Sequence, residues 1–383
     1  MLDLTVEPDL NEFIYRKFRE YYYRNIETIT GPPQIESREI GYLTFSNAMV
    51  RHLSVRDVGE LRSLILRVIP RGIFASVAYY SHPALPIQDK GFLGADLFLD
   101  IDADMLDLPC KAKHDLVFCL ACDAIQAVSE VTQCSSCGST NLKTQKWTCG
   151  NCVQQAKIEV AKALKIMQEE LGFDAQDISV YFSGNRGFHI LVTSTAVQDL
   201  GQQERLELLD YFLGRGINAT ALGFRDNMNQ KELSSLVQRL RLDGGWRTKL
   251  FADLSEQLVL ESYKRGGLNE LTALLQASVE RHKVRLDPVV TGDLHRLARL
   301  EGSLHEDTGL IKIRCRDLTK FDPFTEAVAF EDDPQVKVKV KFVPILYWKG
   351  QEYRLARDTV VRLPQGLAIY LLCKGAASLV IEQ

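Results

Sequence analysis

Hydrophobic residues recur along the chain at two different spacings. A spacing of three to four residues, which is typical of helices with one buried face, runs through residues 11–25, 58–68 and 158–171 and most of 198–284. The Gly-Pro-Pro at 31–33 and Gly172 are expected to follow the ends of the first and third helices. A further helix is expected to begin near Thr291. The apolar face of the third helix is predicted to contain Ile158, Ala161, Leu164 or Lys165, Met167 and Leu171.

Other segments have the composition and alternation of strands. They are IGYLTF and IFASVAYY near the start, ISVYF and FHILVTS in the middle, and VKVKVKFVPILYW near the end. The short SGNRG segment between ISVYF and FHILVTS contains two glycines, so these two strands are expected to form a hairpin. In the last segment the lysines are expected to share one face. Strands interspersed with helices predict a mixed α/β (α+β) fold.

One apolar segment, GFLGADLFLDIDADM at residues 91–105, contains several aspartates. Successive side chains of a strand point to opposite faces. One face is therefore predicted to carry Leu97, Leu99 and Ile101, and the other Asp96, Phe98, Asp100 and Asp102. Carboxylates this close raise each other's pKa unless solvent or a cation separates them. We therefore predict that these aspartates bind a metal.

Composition and charge limit the classes of protein to consider. The chain has 383 residues, long enough for two or three domains or one domain with insertions, and its net charge of −4 argues against a uniformly basic nucleic-acid-binding surface. The first 18 residues lack a basic region followed by an apolar run, and no apolar stretch reaches the roughly 18 residues of a membrane span. We expect a soluble, intracellular protein with no membrane partner.

Seven of the nine cysteines lie between Cys110 and Cys152. They form, with one histidine, four ligand pairs: Cys110 with His114, Cys119 with Cys122, Cys134 with Cys137, and Cys149 with Cys152. Such spacing in a chain without an export signal favours Zn²⁺ over disulfides. Eight ligands are enough for two tetrahedral sites, and four pairs can be divided between two sites in three ways.

The simplest division of these ligands is nested. The two inner cysteine pairs would close a small zinc ribbon at 117–140, and the outer pairs would form a second site that the ribbon interrupts. Inert buried cysteines are the alternative, and the polar neighbours in CSSCGSTN and WTCGNC argue against it.

Two further segments carry groups that bind phosphate. SGNRGFH at 183–189 and SLHEDTGL at 303–310 each combine a hydroxyl, an imidazole and glycine N–H groups, and the first also has Arg186. Asp100 and Asp102 can hold a pair of Mg²⁺ or Mn²⁺ ions. Taken singly, a D-x-D is often a solvated strand end, SGNRG an ordinary turn, His189 a half-buried histidine and Asp287 before Pro288 a helix cap. Together they indicate phosphoryl or nucleotidyl transfer.

These motifs resemble those of the catalytic small subunit of archaeal and eukaryotic-type DNA primase. FLDIDAD is similar to its catalytic aspartate motif, YFSGNRGFHI to its SG-x-x-G-x-H motif, and RLDPVVTGDLHRLARLEGSLHEDTGL to its third-aspartate and S-L-H-x-x-T-G-L region. Order and spacing match, and weaker similarity runs from SREIGYLTF to PQGLAIYLL. Length and compact ends favour the archaeal form.

The resemblance implies a role for each matching residue. The catalytic, metal-binding carboxylates would be Asp100, Asp102 and Asp287. The nucleotide-binding residues would be Arg38, Ser183, Arg186, His189, Arg299, Ser303 and His305. The family's structural Zn²⁺ site is matched by Cys110, His114, Cys149 and Cys152. The remaining Cys119, Cys122, Cys134 and Cys137 would form a second Zn²⁺ site in an inserted ribbon.

The resemblance also implies an architecture and partners. The fold expected is a primase-type catalytic core with a mixed, largely antiparallel sheet flanked by helices. The predicted parts are a discontinuous core at 1–105 and 153–383, a helical subdomain at about 198–284 and a zinc-binding module at 106–152. The expected partners are a large primase subunit in a heterodimer, single-stranded DNA template and nucleoside triphosphates.

The function expected is synthesis of short primers for replication. Two alternatives are a repair-type primase-polymerase that acts alone and a non-catalytic zinc-ribbon protein that binds nucleic acid.

Overall fold

A computed structural model describes residues 8–122, 124–127 and 131–381. Part of the predicted ribbon at 117–140 and the first residues, on which the expectation about an export signal rests, lie outside the described residues. Every described helix is too short or too polar to span a bilayer.

Twelve α-helices occur in the described residues. They are Pro8–Asn25 (α1), Val58–Val68 (α2), Lys111–His114 (α3), Gly150–Lys165 (α4), Thr195–Gln198 (α5), Gln202–Leu213 (α6), Gln230–Leu240 (α7), Gly245–Asp253 (α8), Glu256–His282 (α9), Pro288–Gly292 (α10), Pro323–Glu326 (α11) and Gln365–Cys373 (α12). The helices predicted at 11–25, 58–68 and across 198–284 are confirmed. Asp57 begins α2 by accepting a 2.8 Å hydrogen bond from the N–H of Glu60, which satisfies a free donor of the first turn.

Eighteen strands occur in the same residues. They are Ile40–Leu43 (β1), Met49–Leu53 (β2), Gly72–Ser76 (β3), Ala78–Tyr80 (β4), Phe92–Ala95 (β5), Leu97–Asp102 (β6), Leu116–Cys119 (β7), Ile125–Ala127 (β8), Leu142–Gln145 (β9), Ile178–Phe182 (β10), Gly187–Val192 (β11), Leu297–Arg299 (β12), Ile313–Arg314 (β13), Val336–Val340 (β14), Leu346–Trp348 (β15), Gln351–Tyr353 (β16), Val360–Leu363 (β17) and Ala377–Leu379 (β18). The predicted hairpin is β10–β11, and β14 alternates buried and more exposed positions as expected.

Two four-stranded antiparallel sheets form the centre of the molecule, with strand orders β12-β3-β1-β2 and β13-β10-β11-β6. The apolar face of β6, with Leu97, Leu99 and Ile101 fully buried, belongs to the main core together with α4. A one-residue slip of β6 would bury its aspartates instead, so this burial fixes the register. The α/β fold with antiparallel sheets flanked by helices agrees with the sequence prediction.

The remaining elements form smaller units around this centre. Strands β7, β8 and β9 make a three-stranded sheet in the cysteine-rich segment, and β17, β14 and β18 make another near the end of the chain. Helices α7, α8 and α9 enclose an apolar cluster of their own, and α9 is kinked at Gly266 and Gly267. The predicted division into domains remains a prediction.

Two details of the sequence prediction are wrong. The helix expected from about Thr291 is the short α10, which begins at Pro288, and the residues after it form β12 because they pair with the edge of β3. The apolar face predicted for the third helix is wrong in its first half. Ile158 is 40% exposed and Ala161 is exposed, and the residues that face the core there are Val153, Ala156, Val160 and Ala163. Leu164, Met167 and Leu171 pack against the core as predicted. Tertiary pairing and packing override local pattern at both places.

Candidate active site and metal centres

The predicted aspartates lie at the end of β6, opposite β11. In the antiparallel register Asp100 faces His189 and Asp102 faces Gly187. A Cβ atom at Gly187 would lie 2.5 Å from the carbonyl oxygen of Ile101, so a side chain there would force the two strands apart. Glycine at this position therefore allows β11 to carry His189 close to Asp100, with His189 Nε2 3.7 Å from Asp100 Oδ1.

The third predicted carboxylate approaches from a different part of the chain. Asp287 caps the N-terminus of α10, where its Oδ1 accepts from the N–H groups of Val289 and Val290 at 2.8 and 3.3 Å. Its own N–H donates to the carbonyl of Asp100 at 2.9 Å. Asp287 is therefore both a helix cap and a neighbour of Asp100. The chain comes back to the end of β6 after about 185 intervening residues.

Burial and mutual repulsion set the protonation of these carboxylates. Burial raises the pKa of Asp100 to about 7, and the charges of Asp102 and Asp287 add to the increase, while Arg296 and Lys312 oppose it. Burial also raises the pKa of Asp102, which Arg186 partly offsets. Carboxylate oxygens are the ligands that Mg²⁺ and Mn²⁺ prefer, and a bound cation would remove this repulsion. The donor set thus fits a divalent cation.

Arg186 lies beside the aspartates, at the end of the β10–β11 turn. Its Nη2 is 2.8 Å from Asp104 Oδ2, and its Nε is 3.8 Å from Asp102 Oδ1. Lys146 Nζ is 2.7 Å from the same oxygen of Asp104. The buried Nε of Arg186 makes no hydrogen bond to other residues described here. Arg186 therefore keeps a donor next to Asp102.

Two histidines, with side chains 14% and 12% exposed, adjoin the cluster: His189 and His305. Burial lowers the pKa of His189 and of His305 well below the ordinary value, and nearby cations that include Arg299 act in the same direction. Both imidazoles are therefore neutral near pH 7. The Nδ1 atom of His189 lacks a hydrogen-bond partner within the described ranges, whereas that of His305 accepts from the N–H of Asp307 at 3.1 Å.

The other predicted nucleotide-binding residues are held by their own hydrogen bonds. Arg38 is fully buried and pairs with Asp96 at 2.6 Å, and Arg299 pairs with Glu306. Ser183 Oγ accepts from the N–H groups of Asn185 and Gly187, each at 3.3 Å. Ser303 is also fully buried, and its hydroxyl donates to the carbonyl of Leu300 at 2.7 Å.

A buried lysine at this site was missed by the sequence analysis. Lys312 lines a cavity of about 90 Å³ between the two central sheets, and Arg38 and Arg299 line the same cavity. Its Nζ donates to the carbonyl of Arg299 at 2.6 Å and lies 4.8 Å from the ring centre of Tyr181. Burial and Arg299 lower the pKa of Lys312 to about 7. Its signal in the sequence was a single lysine inside the apolar segment GLIKI.

The outer cysteine and histidine pairs come together as one group. The candidate ligand atoms of Cys110, His114, Cys149 and Cys152 all lie within 4.8 Å of one another. The Sγ atoms of Cys110 and Cys152 are 3.6 Å apart, close to the edge of about 3.8 Å expected for a tetrahedron with Zn–S bonds of about 2.3 Å. The Nδ1 of His114 faces Asp115 at 2.8 Å, which orients Nε2 towards the sulfurs.

The inner cysteine pairs form a second, separate group. The Sγ atoms of Cys119, Cys122, Cys134 and Cys137 also lie within 4.8 Å of one another, and two of the Sγ–Sγ distances are 3.6 Å. The structure thus groups the ligands in the nested arrangement. Both donor sets fit a closed tetrahedral metal site.

Comparisons with known proteins agree with these motifs. The family model for the DNA primase small subunit matches residues 142–316. The DNA primase small subunit PriS of Nitrosopumilus maritimus is 34% identical over 374 residues, which cover 97% of this chain and 99% of the relative. PriS of Cenarchaeum symbiosum is 34% identical, with 94% and 96% covered, and PriS of Archaeoglobus fulgidus is 30% identical, with 96% and 98% covered.

A solved structure gives a weaker match. The polymerase domain of Mycobacterium tuberculosis Ligase D in complex with DNA is 12% identical and covers 81% of this chain and 83% of its own, with a TM-score of 0.37. That likeness is too low to add detail. The similarity to the three primase subunits spans nearly their whole length, and this chain belongs to the family of archaeal-type DNA primase small subunits.

Proposed function

We propose that this chain joins nucleotides on a single-stranded DNA template by attack of a 3′-hydroxyl on the α-phosphate of a nucleoside triphosphate, with loss of pyrophosphate. The observation that carries the proposal is the convergence of Asp287 and Asp102 on Asp100 at one strand end, beside Arg186 and His189. Carboxylates collected in a partly buried place raise one another's pKa, and a bound cation relieves that repulsion.

Family membership gives the chain catalytic DNA primase function. The full-length similarity to primase subunits favours neither a repair enzyme that acts alone nor a non-catalytic zinc-ribbon protein. A large primase subunit is the partner that we propose for a heterodimer, and the triphosphates and template are its proposed substrates.

Each part of the site has a role in this proposal. Asp100, Asp102 and Asp287 would hold Mg²⁺ or Mn²⁺, which lowers the pKa of the attacking hydroxyl and neutralises charge on the leaving phosphates. Arg186 donates to the β- or γ-phosphate through the Nε left free beside Asp102. The neutral imidazole of His189 donates one N–H to a phosphate oxygen.

Buried cationic and polar residues next to the site have supporting roles in this proposal. Arg299 and Lys312 provide positive charge at the wall between the sheets, and Arg38 holds that wall to Asp96. Ser183, Ser303 and His305 fix the two loops that face the phosphates. The two cysteine-rich groups would each bind a structural Zn²⁺.

The test is incorporation of labelled ribo- and deoxynucleotides on unprimed single-stranded DNA with Mg²⁺ or Mn²⁺. The native chain is compared with Asp100→Ala/Asp102→Ala and with Asp226→Ala, an exposed aspartate that serves as the control. We expect product from the native and control proteins and none from the double variant. Added large subunit should increase initiation.

Product that persists in the Asp100→Ala/Asp102→Ala protein would refute the assignment of the site. A folded, metal-loaded native chain that makes no product, with or without the large subunit, would refute the proposed reaction. Metal content and melting temperature of each variant show whether the loss of product is a loss of folding.

A further inference from the structure

A groove of about 770 Å³ runs from Arg186 along the cysteine-rich segment. It is lined by residues 143–146, at the end of β9, together with residues 372–375 and Lys341. Part of α1 and of the β1–β2 loop also lines it. We call it the basic groove, because six of its lining residues are cationic and only Glu306 and Asp307 are acidic. The six are Arg71, Lys143, Lys146, Arg186, Lys341 and Lys374.

Some cations of the basic groove already have ion-pair or hydrogen-bond partners within the described residues, and others do not. Lys146 and Arg186 share Asp104, and Lys374 donates to the carbonyl of Lys146 at 3.2 Å. Lys143 and Lys341 are exposed, and neither ammonium has an ion-pair partner in the ranges the structure describes. Unpaired cations on a wall next to a catalytic centre attract an anionic ligand.

The walls are held in place by contacts between the cysteine-rich segment and the end of the chain. Gln145 Nε2 donates to the carbonyl of Lys374 at 3.1 Å, and the ring centres of Trp147 and Tyr370 are 6.1 Å apart. Phe118 and Phe342 make a similar contact at 6.3 Å. The backbone that carries Lys143 and Lys146 is therefore fixed relative to the segments that carry Lys341 and Lys374.

The size and lining of the groove select the kind of ligand. Free pyrophosphate has no apolar part and would gain nothing from apolar lining residues. This groove also has apolar lining residues, which include Ile14, Leu43 and Phe45, and Phe45 is held edge-on by Tyr15 and Phe18. Cations that follow a groove lined by an aromatic ring are the combination by which proteins bind single-stranded nucleic acid.

We infer that the basic groove binds the sugar-phosphate backbone of a single-stranded DNA template, with Lys143 and Lys341 as phosphate contacts. The inference rests on the proposed polymerase activity for its choice of ligand. It also gives the cysteine-rich segment a function, because its metal sites hold the strand that presents Lys143 at the groove. Phe45 offers a face or edge for one base.

The test measures binding of a fluorescent oligothymidylate of roughly 20 nucleotides, longer than one single-strand site, by anisotropy without nucleotide or divalent cation. The native chain is compared with Lys143→Ala/Lys341→Ala between about 50 and 200 mM salt. Each lost phosphate contact lowers the slope of log affinity against log salt by about 0.7, so the double variant should lose about 1.4. Its affinity at the lower salt concentration should fall on the order of tenfold.

The control is Lys264→Ala/Lys320→Ala, which removes the same charge from exposed lysines outside the groove. It should bind as the native chain does. An unchanged slope and affinity in Lys143→Ala/Lys341→Ala would overturn the inference. So would an increased KM for the nucleoside triphosphate with unchanged DNA binding, because the groove would then serve the triphosphate.

This measurement separates the inference from the proposed reaction. The Asp100→Ala/Asp102→Ala protein should bind the oligonucleotide with native or slightly higher affinity, since it lacks only negative charge near the groove. If the native chain makes no product but the lysine variant still shows the smaller salt slope, the proposed reaction fails and the groove assignment stands.

Discussion

Replacing Lys312 by methionine should make the protein more stable near neutral pH and weaken its binding of triphosphate. The side chain is 5% exposed, and no carboxylate pairs with it among the residues described. Its ammonium is compensated by the carbonyl of Arg299, the ring of Tyr181 and the more distant charges of Glu301 and Asp100. The charge of Arg299 opposes it. Methionine has a similar length and no charge to desolvate.

The size of the stability change follows from the pKa of Lys312. Burial lowers this pKa from 10.5 to about 7, so the folded protein binds the proton less tightly than the unfolded chain. The cost to stability is absent above about pH 10.5, increases as the pH falls, and is complete below about pH 7. At about 1.36 kcal/mol per pH unit the upper limit is about 5 kcal/mol.

The replacement by methionine also removes a hydrogen bond and a cation–π contact. Their loss offsets about 2 kcal/mol of the gain in stability. We therefore expect a net gain of about 2 kcal/mol near pH 6 or 7, or an increase of roughly 2 °C in Tm for a chain of this length. Near pH 10 the gain should disappear.

Thermal unfolding of the native chain and Lys312→Met at several values between about pH 6 and 10 tests this reasoning. The exposed Lys320→Met is the control and should show no pH-dependent gain. A difference that does not change with pH, or a Lys312→Met protein less stable than the native chain near pH 6, would refute it. The KM for nucleoside triphosphate should increase in Lys312→Met and not in Lys320→Met.

Three further changes have defined expectations. Cys134→Ser/Cys137→Ser should remove about one of two bound metal ions and leave nucleotide incorporation nearly native, as measured by metal analysis and primer synthesis; loss of both ions would contradict separate sites. Gly187→Ala should cost about 1–3 kcal/mol in urea unfolding and reduce kcat, because the new Cβ meets the Ile101 carbonyl; native stability would contradict the close packing. Arg186→Lys should raise the KM for triphosphate roughly tenfold, since lysine lacks the second donor beside Asp102, and an unchanged KM would remove Arg186 from the phosphate site.

Much of the fold was predictable because local and tertiary preferences agree. The period of two in β6 placed Asp100 and Asp102 on one face, and the glycine-containing turn predicted the β10–β11 hairpin. The pairing of β11 with β6, which brings His189 to Asp100, was not predicted from the sequence. The apolar face predicted for α4 also shows where this fails. Ile158 fits the apolar pattern but is exposed, while Lys157 and Glu159 are buried through long-range hydrogen bonds to the Thr319 carbonyl and the Arg285 N–H, which no local pattern encodes.

The sequence identified which residues form the site, but it did not predict which of them contact one another. Motif order identified the aspartates, but the return of Asp287 to the backbone of Asp100 depends on the packing of α10 against α6 and β6. Nor could spacing alone choose among the three ways to divide the cysteine pairs. The observed grouping follows from the antiparallel pairing of β7 with β9, which brings the two ends of the inner segment together.

Asp104 explains how the cysteine-rich segment and the catalytic strand depend on each other. One carboxylate oxygen of Asp104 lies between Arg186 and Lys146, so the position of Arg186 beside Asp102 depends on a charge shared with the cysteine-rich segment. Without Lys146, Asp104 would be free to draw Arg186 away from the phosphate site. Without Asp104, Arg186 would pair with Asp102 alone and compete with the cation there. The third acidic residue of the motif therefore balances two cations, and this balance keeps Arg186 closer to Asp104, at 2.8 Å, than to Asp102, at 3.8 Å.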